Sequence, residues 1–343
     1  MKNVFVAFSG GVDSTAVLLL EKLNGNKVTA FTMDWIPDEL SSAGYGKQVV
    51  EYARKSADKL GVPFVVVDLK REFREKIVNY FVDEYINGRT PNPCVLCNRD
   101  IKFGMLFDKA RELGADILLT GHYLRRIKID DRWFLTRGIE PRIEQSYFLA
   151  MVKQEVLEYV DFPLGEMTRL EVEDFLKKEE INILPKSQEI CFVNDDYGSL
   201  VKGLNNEVRG KGLLIGPNNE ELREHDGYYN FTIGQRKGLR VGYGEPIYVS
   251  KIDSESGNVY TSFKDDLYCD NMVVERLNWF KRPDVGASLS VQIRYRSKPV
   301  GCVVYYSGDV VNVKFNSPQV VVPGQLAAFY NDDLLIGGGW IRE

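Results

Sequence analysis

Ser9-Gly10-Gly11-Val12-Asp13-Ser14 follows the apolar run Val4-Phe5-Val6-Ala7-Phe8 and opens onto Ala16-Val17-Leu18-Leu19-Leu20. The order reads as a buried strand, a turn of small residues and the start of a buried helix. Such a start leaves backbone N–H groups without partners, and these suit a phosphate. Gly10 and Gly11 allow close approach of the backbone, while Ser9 and Ser14 add hydroxyl donors. No Gly-Lys-Ser/Thr stands at Walker spacing, so this is a different phosphate cradle. A Gly-Gly turn before a helix is also compatible with a plain tight connection. The complete hexapeptide at the first strand-to-helix turn favours the cradle.

The same alternation continues outward. Lys27 to Thr32 and Val62 to Val67 read as further strands, and Asp116 to Thr120 as a fourth. Between them, Lys47 to Leu60, Arg71 to Tyr85 and Ile101 to Leu113 read as helices, with Gly88 to Asn98 a loop. Short apolar strands separated by helices of ~12 residues imply an α/β unit with a parallel sheet covered on both faces. Ligands bind beyond the carboxyl ends of such strands. The Ser9–Ser14 loop, Met33-Asp34 and Thr120-Gly121-His122-Tyr123 all fall there. Glu144 to Leu149 reads as the last helix of this unit, and Thr168-x-x-Glu171 as a capping box opening a helix to about Glu180. Beyond Lys211 strands take over, at Pro246 to Lys251, Asn258 to Ser262, Leu289 to Tyr295, Gly301 to Tyr306 and Val310 to Phe315. That pattern indicates an antiparallel barrel or sandwich. The expected division is 1–160, 161–267 and 268–343, with a 185–198 loop packing back on the first part.

The chain of 343 residues carries a net charge of −5, so it is no uniformly basic nucleic-acid binder, and any RNA must meet local basic patches. No apolar run reaches transmembrane length, and none follows Met1-Lys2 as a signal-peptide core, so a cytoplasmic protein without membrane contact is expected. The five cysteines then read as reduced thiols with redox, metal or catalytic work.

Asp13 is a carboxylate within a phosphate site, which makes sense with Mg2+ between the charges; helix capping is the plainer role. Met33 stands where an adenine ring would lie. In Asn92-Pro93-Cys94-Val95-Leu96-Cys97-Asn98 the Cys-x-x-Cys suits a redox pair, half a zinc site or an iron–sulfur corner. His122 and His225 are the two histidines and stand at no paired spacing, which argues against structural zinc. Cys191, in Ser187-Gln188-Glu189-Ile190-Cys191-Phe192, reads as a loop against a core. Cys269 and Cys302 read as packing residues. In Arg294-Tyr295-Arg296-Ser297-Lys298, strand alternation would put Arg294, Arg296 and Lys298 on one side for phosphates, with Tyr295 free to stack on a base.

SGGVDS after the first strand resembles the PP-loop of enzymes that split ATP into AMP and pyrophosphate. With the Asn-Pro-x-x-x-Cys-Asn loop, TGHY, QSYFL, EICF, FTIGQRKGL at 231–239 and Arg294-Tyr295-Arg296, in that order, the chain resembles the tRNA-specific 2-thiouridylases over nearly its full length. The resemblance implies a PP-loop domain of adenine nucleotide α-hydrolase type, a small central domain and a C-terminal antiparallel β-barrel that grips tRNA. It implies adenylation of the wobble uridine 2-oxygen, then sulfur transfer by Cys191 as persulfide carrier with Cys97 of the Asn-Pro loop. ATP and Mg2+ would sit on Ala7, Phe8, Ser9, Gly10, Gly11, Val12, Asp13, Ser14, Met33 and Gly121. The tRNA, of the Lys, Glu and Gln acceptors, would meet Asn92, Pro93, Cys94, His122, Ile143, Glu144, Gln145, Arg294, Tyr295 and Gln325. Arg236 and Lys237 are further phosphate candidates. The implied partner besides tRNA is a sulfur donor protein or a cysteine desulfurase relay. Many relatives carry Asp where this chain has Cys94. That departure leaves two routes open: the Cys191 persulfide, or a [4Fe-4S] cluster for which Cys94, Cys97 and Cys191 would be three ligands and which would carry sulfide on an open iron. Rival readings are another PP-loop thiolating or amidating enzyme, and a non-catalytic tRNA-binding or sulfur-carrier protein.

Overall fold

The structure, a computed structural model, describes residues 1–41, 45–181, 190–193, 196–205 and 210–343. Strands β1 (Asn3–Ala7), β2 (Lys27–Asp34), β3 (Phe64–Asp68) and β4 (Ile117–Leu119) form a parallel sheet with a short edge strand at Val160–Asp161. Their order is β3, β2, β1, β4 and then that edge strand. Alternate side chains serve opposite faces. Val4 and Val6 pack with Ala16, Val17 and Leu18 of helix α1 (Val12–Leu23), and with Ala53 and Ala57 of α2 (Tyr45–Lys59). Phe5 packs on the other face with Phe73, Phe81 and Phe103 from the helical stretches 70–86 and 93–112. Both faces being covered explains the unbroken apolar strands.

A hairpin unforeseen in the sequence follows, β5 (Leu124–Ile129) and β6 (Arg132–Arg137). Asp130 and Asp131 both take positive φ, 48° and 62°, as a two-residue hairpin turn of matching twist requires. The edge strand at Val160–Asp161 is β7. The capping box at Thr168 and Glu171 forms as expected and opens the helix Arg169–Lys178. Strands β8 (Gly212–Ile215), β9 (Glu221–His225), β10 (Tyr248–Ile252) and β11 (Val259–Ser262) make a small central sheet. In it β8 and β11 pair in parallel, a departure from the all-antiparallel expectation.

Strands β12 (Tyr268–Trp279), β13 (Ser288–Gln292), β14 (Val300–Ser307), β15 (Val310–Val320), β16 (Leu326–Asn331) and β17 (Leu334–Ile341) form an antiparallel barrel. The long β12 pairs with β15 through its first half and with β17 through its second, which closes the barrel. β17 also pairs with β6, so the hairpin of the first unit extends the barrel sheet. Arg137 fastens this seam. It pairs with buried Glu144 at 2.9 Å, bonds Gln292 of the barrel at 3.1 Å, and lies 3.8 Å over the Tyr330 ring.

Three local expectations are corrected. Cys94 and Cys97 sit on helical backbone, Pro93–Leu96 running into a π-helical stretch Cys97–Leu106, rather than in a loop. Pro93 at the first helical turn carries no N–H to lose and has φ set for a helix. Residues 144–149 form only the short 3₁₀ turn Ser146–Leu149, because Glu144 accepts from the Ser146 N–H, and Tyr147 and Ser146 are tied to Leu326 and Tyr330 of the barrel. Arg294–Arg296 is a turn beyond β13, with Arg296 at φ +65°, so no strand alternation aligns Arg294, Arg296 and Lys298. Cys302 is buried as expected, whereas Cys269 is exposed.

Candidate functional site

β1 ends at Ala7, and the chain turns through Gly10 at φ +74° into α1. A side chain there would be strained and would meet the Tyr52 ring at 3.0 Å, so this turn demands glycine. Ser14 braces the loop internally. Its Oγ accepts from the Ser9 N–H at 3.2 Å, lies 3.2 Å from the Ser9 hydroxyl, and donates to the Gly11 carbonyl. Among the described residues no side chain caps α1, so its first N–H groups are left for a ligand.

Asp13 projects from this loop into a network. Its Oδ1 accepts from the Tyr123 hydroxyl at 2.8 Å and from the Arg169 guanidinium at 2.6 Å. Both contacts fall on one carboxylate oxygen. Gly121, just past β4, presses against this turn: a Cβ there would lie 2.8 Å from Asp13 Cβ. Thr120 Oγ1 holds His122 Nδ1 at 2.7 Å, and burial keeps the imidazole neutral by lowering its proton affinity well below the ordinary value. Gln145 is positioned by accepting from the Tyr123 N–H at 3.0 Å.

These elements enclose a cavity of 410 Å³. Ser9, Asp13, Ser14 and Gly121 line its loop end, with Ala7, Phe8 and Met33 beside them. Pro93, Cys94, Cys97, His122, Gln145 and Cys191 line the same cavity. Burial pushes the Cys94 thiol up to about 11 and the Cys97 thiol up to about 12, each opposed by the charge of Lys102. Cys191 is exposed, and its charge acts on both other thiols. Residues 185–189 and 194–195 of the Cys191 loop lie outside the described residues. Among the described residues no three His, Cys, Asp or Glu side chains are grouped as a metal site. The three cysteines thus share a cavity without forming a ready ligand set for a cluster. For Mg2+, a single carboxylate beside phosphates is an ordinary donor set, and Asp13 offers it.

Other expected residues stand apart from the cavity. Gly10, Gly11 and Val12 shape the loop behind its lining. Buried Asn92 begins the Pro93–Leu96 helix, Ile143 packs against the core that holds Val4, Val6 and α1, and Glu144 is committed to Arg137. Gln325 donates to the carbonyls of Thr90 at 3.0 Å and Pro91 at 3.1 Å, so it docks the barrel onto the segment leading to Cys94. Arg294 is half-buried and donates to the Ile233 carbonyl at 3.3 Å, while Arg296, Arg236 and Lys237 are exposed. Tyr295 brings the barrel to the rim, its ring 4.4 Å from that of Phe148, which lines the cavity. Sequence reading missed Lys102 and Arg169, and it quoted Asn98 in the Asn-Pro motif without assigning it a role. No local signal marks the first in the sequence; in the structure the i→i+5 turn of the π-helical stretch carries Cys97 and Lys102, five residues apart, on one element.

Among the described residues no helix is long and apolar enough to cross a membrane. Family models match nearly the whole chain: a tRNA methyl transferase HUP domain over residues 2–195, the PRC-barrel domain of the same group over 202–262, and an aminomethyltransferase beta-barrel domain over 269–341. The chain is 40% identical to the tRNA-specific 2-thiouridylase MnmA of Syntrophotalea carbinolica, across 99% of this chain and 98% of that protein. It is 39% identical to the MnmA of Geotalea uraniireducens, across 100% and 95%. Against the MnmA of Rickettsia prowazekii the identity is 37%, across 100% and 99%. With this agreement running end to end over the phosphate loop, the cysteines and the barrel, the chain belongs to the tRNA-specific 2-thiouridylase family.

Proposed function

We propose that this protein replaces the 2-oxygen of a tRNA wobble uridine by sulfur at the expense of ATP. The observation that carries the reading is one cavity with a phosphate loop at one end and three cysteines along it. ATP lies with its phosphates on the Ser9–Ser14 turn and its adenine toward Met33. Mg2+ held by Asp13, when bound, supplies charge neutralisation for the departing pyrophosphate. The uridine 2-oxygen attacks the α-phosphorus, the bond to pyrophosphate breaks, and the N3 proton is lost to solvent. This converts an amide-like oxygen, a poor leaving group, into adenylate, a good one.

The contrast between the thiols supports a division of labour. Exposed Cys191 takes sulfur from a persulfide donor, and buried Cys97 works within the cavity. The terminal sulfur of the Cys191 persulfide attacks C2 and the bond to AMP breaks. Cys97 then attacks the Cys191 sulfur, releasing 2-thiouridine and leaving a Cys97–Cys191 disulfide, which a thiol reductant reopens. Tyr295 at the rim, exposed Arg296, and Arg236 and Lys237 of the central domain are the proposed tRNA contacts. Wobble-uridine tRNAs of the Lys, Glu and Gln acceptors are the proposed substrates.

The test is nucleoside mass spectrometry of unmodified tRNA incubated with ATP and a persulfide donor. The wobble uridine gains sulfur for oxygen only with ATP present. Sulfur gained without ATP, or at a different base, refutes the reading.

A further inference from the structure

Lys102 is the one lysine or arginine among the described residues lining the cavity. It is half-buried, and it makes no hydrogen bond or ion pair with any described group. Cations nearby are neutralised: Arg99 by Asp100 at 2.7 Å, Lys70 by Asp34 at 3.1 Å and Arg169 by Asp13 at 2.6 Å. His122, the other basic group in the lining, is kept neutral by burial. A part-buried ammonium with no counter-charge is costly unless a ligand supplies one. The π-helical stretch Cys97–Leu106 carries it on the same element as Cys97.

We propose that Lys102 holds the α-phosphate of the nucleotide, the phosphoryl group that becomes joined to the uridine oxygen. The inference rests on the nucleotide reading above and assigns a residue to it. Two observations select this phosphate. The unpartnered N–H groups of α1 and the Ser9 and Ser14 hydroxyls serve the loop end of the cavity. The field of Lys102 falls instead on Cys94, Cys97 and His122, so it belongs to the thiol end. The phosphate nearest the thiols is the one attacked by the base that the thiols later sulfurate. Held there, the ammonium donates to the non-bridging oxygens, where charge must be matched both when adenylate forms and when AMP leaves.

The test compares AMP with adenosine, which differ only in that phosphate, binding to the full chain by calorimetry. Wild type binds AMP more tightly than adenosine. Lys102→Gln loses about ten- to a hundredfold of AMP affinity and leaves adenosine binding unchanged. Lys102→Arg keeps most of the preference, because it keeps the charge. Unchanged adenosine binding also shows that the variant is folded. A Lys102→Gln protein that still prefers AMP as wild type does overturns the assignment. So does one in which AMP and adenosine weaken equally, since that marks a structural role. Wild type that binds neither compound overturns the nucleotide reading itself, and Lys102 with it.

Discussion

Replacing Gly121 by alanine adds one methyl group against the first turn of α1. That Cβ would lie 2.8 Å from Asp13 Cβ, 2.9 Å from the Asp13 carbonyl carbon and 3.1 Å from the Ser14 nitrogen. Carbon atoms ordinarily rest about 3.5 Å or more apart, so the overlap is roughly 0.7 Å. None of the three atoms belongs to a flexible side-chain end, so relief requires the turn itself to move. Overpacking of this kind costs about 1–3 kcal/mol. The turn carries Asp13, and Tyr123, which bonds Asp13 at 2.8 Å, stands two residues from the substitution. The displacement therefore falls on the phosphate loop, and ATP affinity drops about 5- to 150-fold. Gly203→Ala is the control. Among the described residues nothing lies within 4 Å of its Cβ, it sits in the helix Tyr197–Leu204, and the change stabilises by roughly 0.5–1 kcal/mol. Calorimetric ATP binding and thermal melting are measured on both variants. Wild-type ATP affinity in Gly121→Ala would refute the packing argument.

Cys94→Ser keeps thiolation driven by a persulfide donor, because the proposed route uses only Cys97 and Cys191; loss of activity together with bound iron would restore the cluster reading. Arg296→Ala lowers the salt slope of tRNA binding by about one, while Arg294→Ala, which removes a bond to the Ile233 carbonyl, costs stability of about 1 kcal/mol in denaturant titration; the reverse pattern contradicts the assignment of faces. Burial holds His122 neutral in the fold, whereas the unfolded chain takes up a proton near its ordinary value of about 6.5. Its contribution to stability is therefore full above that value and is lost as pH falls. His122→Asn flattens the fall in urea midpoint between about pH 7 and about pH 5, with His225 supplying the remainder, and an unchanged slope contradicts this.

The first domain was legible because its physics is local. Strands buried on both faces must be continuously apolar, and a phosphate cradle must combine small residues with a helix start, so residues 4–20 announce both. The capping box at Thr168 was readable for the same reason. What escaped depends on pairings across the chain. Asp13 and Arg169 are separated by 156 positions and Arg137 and Gln292 by 155, and no periodicity signals either contact. The β5–β6 hairpin was missed because Asp130-Asp131 is not the usual glycine-bearing turn and its strands mix charge with apolar residues on both faces. At Arg294 the alternating charges imitate a strand, yet the backbone turns there, with Ser297 donating from both its N–H and its hydroxyl to the Arg294 carbonyl. The thiols were visible as residues but not as helix residues, since Asn92-Pro93 reads equally well as a loop. Lys102 has no local signature. Only the assembled cavity shows it to be a cation without a counter-charge among the described residues.

In the proposed function one cavity performs adenylation and sulfur transfer as separate steps on the same uridine. Cys191→Ser separates them, because it removes the proposed sulfur carrier and leaves the phosphate loop untouched. Given unmodified tRNA and ATP, this variant is expected to release pyrophosphate in an amount dependent on tRNA, while nucleoside mass spectrometry finds no 2-thiouridine. A Cys191→Ser protein that releases no tRNA-dependent pyrophosphate where wild type does, or that still makes 2-thiouridine, contradicts it.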